Sequence, residues 1–206
     1  MKGIVMFVQV IKGKVSDSSA IRAALDKWLS ELAPGATGWL GSTTGVTDDG
    51  TLIGIVRFDS LESAQSNSDR PEQGRWWAET ERLFDGEVAF EDSNDVDEYV
   101  TGDWDRAGFV QVMQGQVSDL DRARSVMQRR PDNFEQIRPD IVAMLDLAHQ
   151  DGRWTSVIYF TSEAEARQRE SQDPPPEFAA MMDEMASISV SETRFYDLRQ
   201  VWLDSP

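Results

Sequence analysis

The segment FVQVIKGKVSD, from Phe7 to Asp17, returns as FVQVMQGQVSD from Phe109 to Asp119, with eight of eleven positions identical. The spacing of 102 residues persists downstream: Asp49-Gly50 matches Asp151-Gly152, Phe58 matches Phe160, Ser60 matches Ser162, and Ala64 matches Ala166. A fixed period of that length marks a duplicated structural unit, so both halves must share one fold. The duplication divides the 206 residues into a first repeat over 1–102, ending in an acidic linker, and a second over 103–206.

Each half reads as β-α-β-β-α-β. A strand runs to Gly13 or Gly115, and Ser16 or Ser118 offers an N-cap for the helix that follows. In the first half Ile21, Leu25, Trp28, Leu29 and Leu32 form one apolar stripe at helical spacing, stopping at Pro34-Gly35. In the second, Ala123, Val126 and Met127 begin the same stripe, but Arg130-Pro131 interrupts it before Phe134 and Ile137, which predicts a split helix. Asp49-Gly50 and Asp151-Gly152 then predict tight hairpins, because both residue types tolerate positive φ.

Ser60 and Ser162 open a second helix, Ser162 and Glu165 having capping-box spacing. Pro71 or Pro174-Pro175-Pro176 interrupts it. A further helical piece carries Trp76, Trp77, Leu83 and Phe84, or Phe178, Met181, Met182 and Met185, before a closing strand near Val88–Phe90 or Ile188–Val190. The segment from Glu91 to Asp105 reads as a solvated linker in which Val96, Tyr99 and Val100 can add an edge strand, as Leu198, Val201 and Trp202 can in the second half.

An antiparallel sheet with both helices on one face leaves its other face open. The first strand is apolar on both sides, with Met6, Val8 and Val10 on one and Val5, Phe7 and Ile11 on the other. An apolar face in water drives association, and a duplicated chain can supply the cover in cis. The expected fold class is therefore α+β: two tandem ferredoxin-like repeats forming an intrachain barrel, a monomeric pseudo-dimer.

A first strand leading through Gly to a helix, a hairpin, and Phe-x-Ser-x-x-x-Ala at Phe58, Ser60 and Ala64 and again at Phe160, Ser162 and Ala166 make up most of each half. With the aromatic or Met-rich second helix, they resemble the dimeric α/β-barrel superfamily, especially antibiotic biosynthesis monooxygenase-like domains. The resemblance covers nearly the whole chain twice, but rests on turn, cap and core positions. Members of that superfamily include cofactor-independent oxygenases of aromatic polyketides, haem-degrading enzymes and many small proteins with no assigned activity. The haem-degrading members use a His on the second helix with Asn and Trp; here Trp76 and Trp77 lie in that region, but no His does.

Composition narrows the partners. A net charge of −17 repels phosphate backbones and anionic lipid, which disfavours nucleic acid and membrane surfaces. The absence of cysteine removes thiol chemistry and fits a reducing, cytoplasmic setting. A single histidine leaves no pair for a metal site; His149, beside the Asp151-Gly152 turn, is expected to be exposed. The run Asp92, Asn94, Asp95, Asp97 and Glu98 lacks calcium-loop spacing, since Val96 takes a ligand position and the turn Gly is missing. No cofactor or metal is expected.

Four residues are candidate ligand contacts. Gln9 and Gln111 are the same amide in two nearly apolar strands, able to orient a ligand or to hydrogen-bond each other or a buried water. Arg57 and Tyr159 are repeat equivalents that supply a cation and a phenol if they share an inner face, or otherwise end their strands in solvent. The tryptophans, Trp28, Trp39, Trp76, Trp77 and Trp154 among them, are core residues or the wall of an aromatic pocket. The expected function is binding of a small aromatic or hydrophobic molecule in or beside the barrel. A cofactor-independent monooxygenase and a non-catalytic structural or interaction protein are the alternatives.

Overall fold

The computed structural model describes residues 6–129, 131 and 133–206; Val5 of the first strand and Arg130 of the helix break lie outside them. The first repeat runs β1 (Phe7–Lys14), α1 (Ser18–Glu31), β2 (Trp39–Val46), β3 (Thr51–Phe58), α2 (Leu61–Ser68), α3 (Pro71–Thr80) and β4 (Ala89–Ser93). After β5 (Val96–Val100) the pattern returns as β6 (Phe109–Gln116), α4 (Leu120–Met127), α5 (Phe134–Ile137), β7 (Ile141–Ala148) and β8 (Arg153–Phe160). It ends with α6 (Glu163–Glu170), α7 (Pro176–Ile188), β9 (Arg194–Leu198) and β10 (Val201–Asp204).

The strand orders are β10-β2-β3-β1-β4 and β5-β7-β8-β6-β9. Within each repeat the pairings are antiparallel and in the same register, Gln9 opposite Val56 and Gln111 opposite Ile158. The acidic segment after β4 is therefore not a solvated linker. Its edge strand forms, as β5, but on the sheet of the second repeat, while β10 completes the sheet of the first. The compact units are the chain through Val96 with Gln200–Pro206, and Asp97–Arg199, so they do not coincide with the repeats 1–102 and 103–206. Each exchanged strand satisfies a row of backbone N–H and C=O groups that β2 or β7 would otherwise present as a bare edge.

Local chemistry accounts for the elements. The first-helix caps are Asp17 and Asp119, one residue beyond the serines expected: Asp17 Oδ1 accepts from Ser19 N at 2.9 Å and Ala20 N at 3.0 Å, and Asp119 Oδ1 from Arg122 N at 2.9 Å. A carboxylate there both accepts from the first-turn amides and opposes the positive end of the helix. Ser60 and Ser162 cap α2 and α6 as expected. Gly50 (φ 79°), Asp151 (φ 68°) and Gly152 (φ 82°) hold the left-handed angles their hairpins need. The second repeat's first helix is split into α4 and α5 around Pro131. Its closing strand starts at Arg194 rather than near Ile188, because α7 runs unbroken through Ile188.

Strand alternation sorts the core. In β1 the odd residues Phe7, Gln9 and Ile11 face the helices, and Val8 and Val10, at most 1% exposed, occupy the opposite face. Phe7 packs with Trp28, Leu32, Trp39, Phe58 and Ala64, and its equivalent Phe109 with Phe134, Ile141, Phe160 and Ala166. The face away from the helices is buried too: Ile53, Ile55, Val110, Val112 and Val157 are fully enclosed.

Candidate functional site

Both repeats hold a cavity between the helix-covered face of the sheet and the helices. In the first repeat it measures about 420 Å³, and Phe7, Gln9, Ile11, Val56 and Phe58 of the sheet meet Trp28, Ala64, Gln65, Gln73, Trp76 and Trp77 of the helices. That volume lies within the range of small-molecule sites. Phe90 and Asp92 of β4 stand at its exposed edge.

The aromatic wall is continuous and fixed. Trp39 meets Trp28 edge-on at 5.0 Å, Trp28 lies 6.4 Å from Trp76, Trp76 lies 6.1 Å from Trp77, and Trp77 meets Phe90 edge-on at 5.2 Å. Three of the indole N–H groups are spent on the protein: Trp28 donates to Gln73 Oε1 at 2.7 Å, Trp76 to the Ala24 carbonyl at 2.9 Å, and Trp39 to Ser42 Oγ at 3.1 Å. These bonds lock the rings and leave apolar faces toward the cavity.

Gln9 supplies the polar feature. Its Nε2 donates to Asp92 Oδ1 at 2.9 Å from the directly opposite position on β4. A carboxylate can only accept, so the amide NH₂ must face Asp92 and the carbonyl Oε1 is turned elsewhere. Among the described residues no group donates to that oxygen.

The same pair recurs in the second repeat with a different outcome. Gln111 Nε2 donates to Asp197 Oδ1 at 2.8 Å, again directly across the strands, so each glutamine pairs with a carboxylate of its own sheet. Position 167, however, is Arg where the first repeat has Gln65. The Arg167 guanidinium lies 5.3 Å from the centre of the Phe109 ring and donates through Nη2 to Asp197 Oδ2 at 2.6 Å. Ion pairing, with Glu170 first and Asp197 next, raises the pKa of Arg167 further. The corner that is open beside Gln9 is thus filled beside Gln111.

The second cavity, about 530 Å³, includes none of Phe109, Gln111, Arg167 and Asp197, but overlaps the equivalent sheet face, with Met113, Met127, Met144 and Ile158 at the positions of Ile11, Leu25, Ser42 and Val56. Six methionines line it: Met113, Met127, Met144, Met181, Met182 and Met185.

Arg57 and Tyr159 lie on the opposite sheet face from the glutamines, since Val8 pairs with Arg57 and Val110 with Tyr159. Each sheet therefore separates its glutamine from its Arg or Tyr, and neither of the latter lines the two cavities. Arg57 is half-buried and its guanidinium covers Gly41, where a Cβ would come within 2.7 Å of Nη2. Tyr159 is fully buried and meets Trp104 edge-on at 4.6 Å. His149 is buried rather than exposed, its Nε2 lying 2.9 Å from Thr155 Oγ1, which also accepts from Gln114 Nε2 at 3.1 Å. Among the described residues no group of three or more His, Cys, Asp or Glu is placed to hold a metal. No helix among them is long and apolar enough to cross a membrane.

Sequence reasoning missed Asp92 and Asp197 as the glutamines' partners, because nothing in the sequence fixes the register of β4 and β9. It also missed Gln65 and Arg167. The signal was available there: aligned at the repeat spacing, position 65 is neutral where position 167 is charged.

Two ferredoxin-like repeats in one chain, each with a cavity under its helices, give this protein the fold of dimeric α/β-barrel proteins. Among similar solved structures, a candidate monooxygenase from Lactobacillus acidophilus NCFM superposes with a TM-score of 0.75 at 13% identity, covering 98% of this chain and 96% of that one. One from Fusobacterium nucleatum gives 0.74 at 9% identity, covering 98% and 95%. An anthrone oxidase-like protein gives 0.67 at 9% identity, covering 97% and 93%. No family model matches the sequence, and neither does any curated protein.

Proposed function

We propose that this protein binds a small hydroxylated aromatic molecule in the cavity of its first repeat, between Trp28, Trp76, Trp77 and the Gln9–Asp92 pair. The observation that carries the reading is the conjunction of a locked tryptophan wall with one oriented amide in an otherwise apolar floor. Flat apolar walls favour a planar ligand. Gln9 Oε1 accepts from its hydroxyl, and Asp92 holds the amide in that orientation. Ligand contact is assigned to Gln9 alone of the four sequence candidates. Gln111 is buried and shares Asp197 with Arg167, and Arg57 and Tyr159 lie across their sheets.

The test is calorimetric titration with 1-naphthol and naphthalene. Gln9→Leu keeps the size of the side chain but removes the acceptor, and is expected to weaken 1-naphthol binding about tenfold while leaving naphthalene unchanged. Equal 1-naphthol affinity in Gln9→Leu and the parent chain would overturn the assignment.

Cofactor-independent monooxygenation is the second reading. Asp92 beside Gln9 favours it, because a carboxylate at the hydroxyl's end of the cavity can take the phenolic proton and leave an electron-rich phenolate to react with oxygen. The names of the similar structures, monooxygenases and an anthrone oxidase-like protein, support the same chemistry. Oxygen uptake with electron-rich phenols checks it. Uptake that Asp92→Asn abolishes supports the enzyme, and binding without uptake supports a carrier.

A further inference from the structure

We infer that the second repeat's cavity is a separate site of different specificity, for an uncharged molecule with a flexible hydrocarbon chain and a carbonyl-oxygen head. Three observations carry the inference. The first is the lining: six of the chain's eight methionines surround this one cavity, together with Val126, Ile141, Ile158 and Phe178. Methionine is unbranched, polarizable and rotates about three bonds, so a methionine wall moulds itself to a chain of many shapes, where the locked tryptophans select a flat one.

The second is the polar floor. Trp154 belongs to the lining, and its indole Nε1 is buried with no acceptor among the described residues. A buried N–H without an acceptor is destabilising, and a ligand oxygen would relieve it. Close by on the same sheet face, Asp146 is buried and accepts from Ser156 Oγ at 2.6 Å. A ligand carboxylate would lose its hydration beside this carboxyl group, which disfavours a free fatty acid and favours an ester, aldehyde or ketone oxygen as the group to meet Trp154. Arg138, the cation in the lining, does not offset this, because its Nε and Nη2 both donate to Asp140, at 3.0 and 2.8 Å.

The third is access. Met182 and Phe195 line the cavity yet are 59% and 61% exposed, among the most exposed large apolar side chains in the protein. They form an apolar lip through which a chain can enter.

The experiment uses the full chain labelled with ¹³C at the methionine methyls, with Met6 as an internal reference outside the cavity. Methyl decanoate is expected to shift the six cavity methyl signals and leave Met6 in place. Decanoate at neutral pH is expected to bind at least about tenfold more weakly, and Trp154→Phe to weaken the ester about tenfold. Asp146→Asn should bring decanoate close to the ester, which keeps the assignment testable should Trp154→Phe fail to fold. Cavity methyls that stay in place with the ester, or respond equally to ester and decanoate, would overturn the inference. Because 1-naphthol reports on the tryptophan cavity, failure here and failure of the first-repeat reading are read from different signals.

Discussion

The two repeats begin with the same glutamine, on the same strand, paired to the same kind of carboxylate, and yet only one keeps open space beside it. In the first, Gln65 leaves the corner over Phe7 accessible; in the second, Arg167 lies over Phe109 and ties itself to Asp197. One side chain on the helix thus separates a glutamine able to meet a ligand from one built into the scaffold. The second repeat opens instead beside Met113, Met127 and Met144, which stand where the first has Ile11, Leu25 and Ser42. Duplication preserved the sheet and its caps, while the helix-facing residues diverged.

The largest effect tests the scaffold beneath this comparison. Tyr159 is fully buried against Trp104 while its equivalent Arg57 is half-buried, so Tyr159→Ala should cost about 3–5 kcal/mol and Arg57→Ala far less, measured by urea unfolding. Next comes the exchanged strand. Removing residues 200–206 takes β10 from β2, and with it the Arg22–Asp204 ion pair, and should destabilise the first sheet by roughly 2–4 kcal/mol. Hydrogen exchange should then speed at Ser42 to Gly45 and remain slow in β8.

Gln65→Arg imports the second repeat's residue and should reduce 1-naphthol affinity at least about tenfold with little change in stability. The reciprocal Arg167→Gln removes a partly exposed ion pair and should cost about 1 kcal/mol while opening space beside Gln111. The smallest effect is one of pH. Hydrogen bonds from Arg129 and then Arg122 hold the Glu184 carboxyl below its ordinary value, tying α7 to α4. A carboxyl with a lowered folded pKa stabilises above the ordinary glutamate value of about 4.3 and ceases to do so as pH falls through the folded value. Exchange in α7 should therefore quicken below about pH 4, and Glu184→Gln should blunt the change.

Most of the scaffold was legible because its signals are local. Asp-Gly at both hairpins, Ser60 and Ser162 as caps, and the stripes ending at Pro34 and Pro131 each depend on a few neighbouring residues. The exchange of β5 and β10 was not legible, since either edge of either sheet can accept a short strand and only tertiary placement decides. His149 was misread for a similar reason: closeness to a turn suggests exposure, but Thr155 across the hairpin gives its ring a buried partner. For the site, Gln9 and Gln111 stood out as amides in apolar strands. That Arg57 and Tyr159 lie behind the sheet follows from alternation once β1 is registered against β3. That Arg167 closes one corner needed side-chain positions.

The central claim is that the first repeat's tryptophan cavity receives a hydroxylated aromatic. Its most direct measurement is the ¹⁵N–¹H spectrum of the seven indole groups during addition of 1-naphthol. The account predicts saturable shifts at Trp28, Trp76 and Trp77, lost in Gln65→Arg, with Trp104, Trp154 and Trp202 unmoved. Shifts centred on Trp154 or Trp104, or a Gln65→Arg chain that responds like the parent, would contradict it.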